Sequence, residues 1–104
     1  MSQPELVFVS PGPDGTAELV VNFGVYSGRE ATPAEVERLA HELLEDVPGV
    51  EVICEKRYEF SRDAEATVYR VRILAPGADD RASELRAAVL AWAEDCINER
   101  YVAP

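Results

Sequence analysis

The side chains with the most chemical reach in this 104-residue chain are two cysteines, one histidine and twenty carboxylates. A zinc site needs three or four ligands of the right type brought together. Cys54 and Cys96 are too far apart in sequence to form a metal motif or a disulfide framework. Both fall on predicted inner faces, one on a strand and one on a helix, and are expected to act as small buried hydrophobes. His41, the single histidine, sits among Glu37, Glu42 and Glu45 on a predicted helix. A Glu37/His41 pair at i, i+4 spacing reads as a surface contact. Ser10, Ser27, Ser61 and Ser83 lie in turns or near a helix start, and none has a G-x-S-x-G context. These patterns assign no catalytic residue, no metal ligand and no cofactor.

One loop carries a weak ligand signal. Tyr26, Ser27, Gly28 and Arg29 lead into a predicted helix N-terminus, where backbone N–H groups and an arginine can hold an anion. Glu30 and Glu35 sit in the same place and oppose one.

A stronger pattern runs from Val50 to Leu74, two strands around a turn at Ser61–Ala64. Side chains alternate between the two faces of a strand. With the turn centred on Arg62 and Asp63, Val52 faces Ile73, Cys54 faces Val71, Lys56 faces Tyr69 and Tyr58 faces Thr67. The apolar faces then coincide, and Glu55 falls opposite Arg70. A slip of one residue would put arginines into the core, so the register is well specified. The other face carries Ile53, Glu55, Arg57, Val68, Arg70 and Arg72. Aliphatics interleaved with arginines are characteristic of partner-facing surfaces. These six residues are the expected protein interface, with a symmetric homodimer as the simplest assembly.

The elements that position these residues are legible in outline. Glu5–Ser10 is a short apolar strand, and Pro11-Gly12-Pro13-Asp14-Gly15 is dense in turn residues, with Asp-Gly as the hairpin signal. Thr16–Tyr26 reads as a second strand, with Ala17, Leu19, Val21, Phe23 and Val25 toward the core and Gly24 marking a bulge or close backbone approach. Thr32, Pro33 and Glu35 form an N-cap, a first-turn proline and a capping box. The apolar stripe of that helix is Val36, Leu39, Ala40, Leu43, Leu44 and Val47, and Pro48-Gly49 ends it. After the central hairpin, Asp79 or Asp80 caps a last helix. Its inner stripe is Leu85, Ala88, Val89, Trp92 and Cys96, widened by Leu90, Ala93, Ile97 and Tyr101.

The order ββαββα predicts one α+β domain over residues 1–104, with residues 1–4 frayed. The expected architecture is a two-layer sandwich: a four-stranded, mostly antiparallel sheet with two helices on one face. Two hairpins pairing across a dimer are the alternative, and either edge can join the halves.

A net charge of −10 repels nucleic acid and anionic lipid. No window is long and apolar enough for a membrane span. The start MSQPELVFVS lacks a secretory pattern. A cytoplasmic protein with reduced thiols is expected. One lysine against nine arginines, with abundant alanine, fits a GC-rich bacterial genome. The functional expectation is a small acidic interaction module, acting as a homodimer or complex subunit. An inhibitor of a basic target is one version of it. The alternative is a small-ligand-binding protein or small enzyme, with a pocket between sheet and helices or at a dimer seam.

Overall fold

The computed structural model describes residues 5–102, without the side chains of Pro11 and residues 99–102. The expectations for residues 1–4 and for the Tyr101 side chain fall outside that range. The chain forms strand β1 (Val7–Pro11), strand β2 (Ala17–Val21), a short helix α1 (Phe23–Ser27), helix α2 (Pro33–Leu44), strands β3 (Glu51–Phe60) and β4 (Glu65–Ala75), and helix α3 (Ala82–Val102). The sheet has the order β1-β2-β4-β3, with every neighbouring pair antiparallel. The α+β class and the order ββαββα are as the sequence predicts, with α1 as an addition.

The β1–β2 hairpin turns through Asp14 (φ 49°) and Gly15 (φ 75°), and Thr16 N–H donates to the Pro13 carbonyl at 3.0 Å. Two successive residues at positive φ match the right-handed twist of a hairpin, which explains the Asp-Gly pair. Val7 pairs with Val21 and Val9 with Leu19, so Val7 and Val9 share the core face and Phe8 falls on the other. The β3–β4 register is the one the alternation predicts: Val52 opposite Ile73, Cys54 opposite Val71, Lys56 opposite Tyr69, Tyr58 opposite Thr67. Ser61 and Ala64 close its turn through a 2.8 Å backbone hydrogen bond.

One core lies between the sheet and the helices. Val7, Leu19, Val21, Val71 and Ile73 pack with Leu39, Leu43 and Val47 from α2 and its end, and with Leu85, Val89, Trp92 and Cys96 from α3. All these strand residues belong to one sheet face, and among the described residues no helix covers the other.

The predicted second strand is too long. β2 stops at Val21, and Asn22 turns the chain into α1. Asn22 is buried; its backbone N–H donates to the Leu6 carbonyl (2.8 Å) and its side-chain amide to the Glu5 carbonyl (2.7 Å). These bonds tie the exit of β2 to the start of β1. Phe23 is buried as expected, but Val25 is 43% exposed because the helical period carries it away from the core. Gly24 does mark a close approach. A Cβ built there would lie 2.8 Å from the Tyr69 backbone nitrogen on β4. Helix α1 thus occupies the place along β4 that a longer β2 would have filled.

Candidate docking surface

The four strands differ in length, and the site follows from that difference. β1 and β2 have five residues each, β3 has ten and β4 eleven. β2 pairs with β4 only from Val71 to Ala75. Beyond that point Glu55–Phe60 and Glu65–Arg70 continue as a two-stranded arm, about 20 Å long at ~3.3 Å per residue. α1 supports its base at Tyr69, and the tip stands clear. Tyr58 is 61% exposed and Phe60 73%.

On the helix side, the arm prolongs the apolar face of the sheet past the reach of the helices. Cys54, Lys56, Tyr58 and Phe60 alternate along β3 on this side, opposite Val71, Tyr69, Thr67 and Glu65. The Lys56 ammonium lies 5.4 Å from the Tyr58 ring centroid and 5.8 Å from that of Tyr69. The expectation that Cys54 is a buried thiol fails here. Cys54 is exposed and Cys96 buried, because the helices cover the sheet only as far as Val71.

The six residues expected at an interface sit together on the opposite side. Ile53 faces Arg72, Glu55 faces Arg70 and Arg57 faces Val68. The predicted Glu55–Arg70 ion pair is not made. Glu55 instead pairs with Arg72 at 3.4 Å, and Arg72 also reaches Glu18 on β2 at 3.7 Å. One guanidinium between two acids from flanking strands outcompetes the directly opposite arginine. Arg57 is exposed and faces Val68, while Glu59 faces Ala66. Among the described residues neither Arg57 nor Glu59 forms an ion pair.

β3 also ends the sheet. Its outer N–H and C=O groups run for ten residues with no strand beside them among the described residues. β1, the other edge, is half as long and ends at Pro11, one of the usual ways in which an edge is blunted.

The weak ligand loop has a different character. Arg29 makes a bidentate pair with Glu35, both bonds at 2.8 Å, and its guanidinium lies 5.3 Å from the Phe23 ring centroid. The Ser27 hydroxyl is buried, 2.7 Å from the Phe23 carbonyl and 2.9 Å from that of Arg29. Gly28 adopts φ 74° at the end of α1 and donates its N–H to the Gly24 carbonyl at 2.9 Å. Tyr26 lines a surface depression of about 310 Å³ with Leu6, Leu90, Glu94, Ile97 and Asn98. The four loop residues therefore do not converge on one point. Arg29, Ser27 and Gly28 serve the junction between α1 and α2.

Glu35 is the hub of that junction. Its N–H donates to Thr32 Oγ1 (3.2 Å), and its carboxylate accepts from the Thr32 N–H (2.8 Å) and from Arg29. Its backbone carbonyl accepts the Trp92 indole N–H at 2.8 Å. Arg29 first, and then Thr32, hold its pKa down at about 2 against the opposing effect of burial.

Sequence reasoning did not single out Tyr58, Phe60 and Glu59. The overhang was hidden because the second strand, read through Tyr26, matched the central strands in length, whereas β2 ends at Val21.

Among the described residues no three His, Cys, Asp or Glu side chains come together as a metal site, and no helix is long and apolar enough to cross a membrane. Comparison with family models, with curated proteins and with solved structures found no match.

Proposed function

We propose that this chain is a non-enzymatic protein-interaction module that docks through the β3–β4 arm and the free edge of β3. One observation carries the reading. The arm exposes Tyr58 and Phe60 on a strand whose outer backbone groups have no strand beside them among the described residues. An exposed edge can take up a further strand, with main-chain hydrogen bonds giving affinity and alternate side chains giving specificity. Exposed aromatics do nothing for the monomer's core, yet tyrosine and phenylalanine are enriched where partners meet. The mixed Arg and aliphatic face behind the same strands, from Ile53 to Arg72, extends the surface.

The test is photo-crosslinking in the producing cell, with a benzophenone amino acid at position 58 and, as control, at the exposed Ala91 of α3. A discrete adduct from position 58 that is absent from position 91 is the expected result. It should disappear in Phe60→Ala, whose stability stays within about 0.5 kcal/mol of the parent because the side chain is largely exposed. Equal or absent adducts at the two positions would overturn the reading.

A further inference from the structure

We infer that the occupant of the β3 edge is the β3 edge of a second copy, paired antiparallel about a two-fold axis at Tyr58; this rests on the arm being a docking element. The first argument is charge. Residues 50–74 hold five acids (Glu51, Glu55, Glu59, Asp63, Glu65) and five bases (Lys56, Arg57, Arg62, Arg70, Arg72). The entire net charge of −10 therefore lies outside the hairpin. Two copies repel everywhere except at the arm, where both are neutral.

The second argument is register. In an antiparallel self-pairing, residues at equal distance on either side of the axis face each other, and like charges directly opposite are destabilising. An axis at Ile53 sets Glu51 against Glu55. Axes at Glu55, Lys56 and Arg57 set each of those charges against its own copy. Of the axes that pair more than three residues of β3, only those at Cys54 and at Tyr58 avoid every such contact. The Tyr58 axis pairs Arg57 with Glu59 of the second copy twice over, two outer-face charges that form no ion pair among the described residues. On the other side it stacks Tyr58 on its own copy and sets Lys56 against Phe60, a cation–π arrangement. This uses both exposed aromatics. The Cys54 axis leaves Phe60 unused and draws the two acidic bodies together. Charges that usually protect an edge here reject most registers, and the exposed aromatics favour the Tyr58 axis over the Cys54 axis.

The test is light scattering on the purified chain from low to high micromolar, with charge swaps. The parent is expected to dimerise. Arg57→Glu and Glu59→Arg should each weaken the dimer by about tenfold or more, since each replaces two favourable contacts with two repulsive ones. An equimolar mixture of the two single variants should dimerise again, because each then offers the charge that the other needs; the same holds for the double variant. Recovery in the mixture also shows that neither variant is misfolded. A parent that stays monomeric throughout overturns self-pairing, and an adduct to a different protein from position 58 would leave the docking arm standing. A dimer indifferent to Glu59→Arg, or one that forms a Cys54–Cys54 disulfide on mild oxidation, overturns this register in favour of the Cys54 axis.

Discussion

Glu35 joins three parts of the molecule through one side chain and one carbonyl. Its carboxylate closes the capping box of α2 and holds Arg29 in a bidentate pair, and its carbonyl takes the Trp92 indole proton from α3. Bonds to a charged acceptor are stronger than neutral ones, and the fork geometry of arginine adds specificity. The cost of losing them follows from the same bonds. Glu35→Gln keeps a side chain that can still cap the helix but loses the charge that Arg29 needs, for an expected destabilisation of about 1–3 kcal/mol at neutral pH. The pH dependence has a definite sign. The folded pKa of about 2 lies below the ordinary value of 4.5, so the unfolded chain binds the proton more readily. The contribution is complete above pH ~4.5 and is lost as pH falls from there towards 2. Urea melts of parent and variant at several pH values check this. The gap between them should close across that window, and a gap of constant size would show that the carboxylate charge is not what stabilises the junction.

At the scale of elements, α1 sets the end of the sheet and the start of the arm. Its Gly24 lies against the β4 backbone, where an added Cβ would meet the Tyr69 nitrogen at 2.8 Å and its carbonyl oxygen at 3.0 Å. Alanine is normally favoured over glycine in a helix by about 1 kcal/mol. Here the collision is with backbone and cannot be relieved by a rotamer change, so Gly24→Ala should lose about 1–3 kcal/mol. Gly49→Ala, where the new carbon meets nothing within 4 Å, should be nearly neutral. Thermal melts of the two variants give the comparison, at roughly 4–8 °C per kcal/mol for a domain of this size. This element is also where sequence reading stopped. The β3–β4 register, the Asp-Gly turn and the Thr32 capping box are local patterns, and each is found where the spacing puts it. Phe23 and Val25 continue an alternation begun at Ala17, so a strand through Tyr26 is the natural reading. What ends the strand is non-local: the Asn22 bonds to Glu5 and Leu6, and the fit of Gly24 against Tyr69, a residue 45 positions away. The exposure of Cys54 was hidden for the same reason. Alternation tells which face a residue is on, but how far the helices extend over that face depends on packing between distant elements. The six outer-face residues were legible as a set, while their ion pairing was not, because Glu18 on β2 competes for Arg72.

The whole molecule is a charged body with a neutral arm, and that division would make the proposed self-pairing sensitive to salt in an unusual direction. Contacts between opposite charges weaken as salt rises, so an acidic module held to a basic target would let go at high ionic strength. A second copy behaves differently. Each body carries −10, and a pairing centred on Tyr58 separates the body centres by about one molecular length, 42 Å along the longest axis. Two such charges in water repel by roughly 10 kcal/mol before screening. At 0.15 M salt the Debye length of about 8 Å removes nearly all of this, whereas at 0.01 M, with a length of about 30 Å, on the order of 2 kcal/mol survives. The two Arg57–Glu59 contacts change in the opposite sense, but exposed ion pairs contribute only about 0–1 kcal/mol each, and screening removes a part of that. Repulsion between the bodies therefore dominates, and raising salt from about 0.01 M to 0.15 M should tighten the dimer by about tenfold. Sedimentation equilibrium at the two ionic strengths measures it directly. Weaker association at the higher salt would mean that the Arg57–Glu59 contacts outweigh the repulsion between the bodies, and would overturn this estimate of their balance.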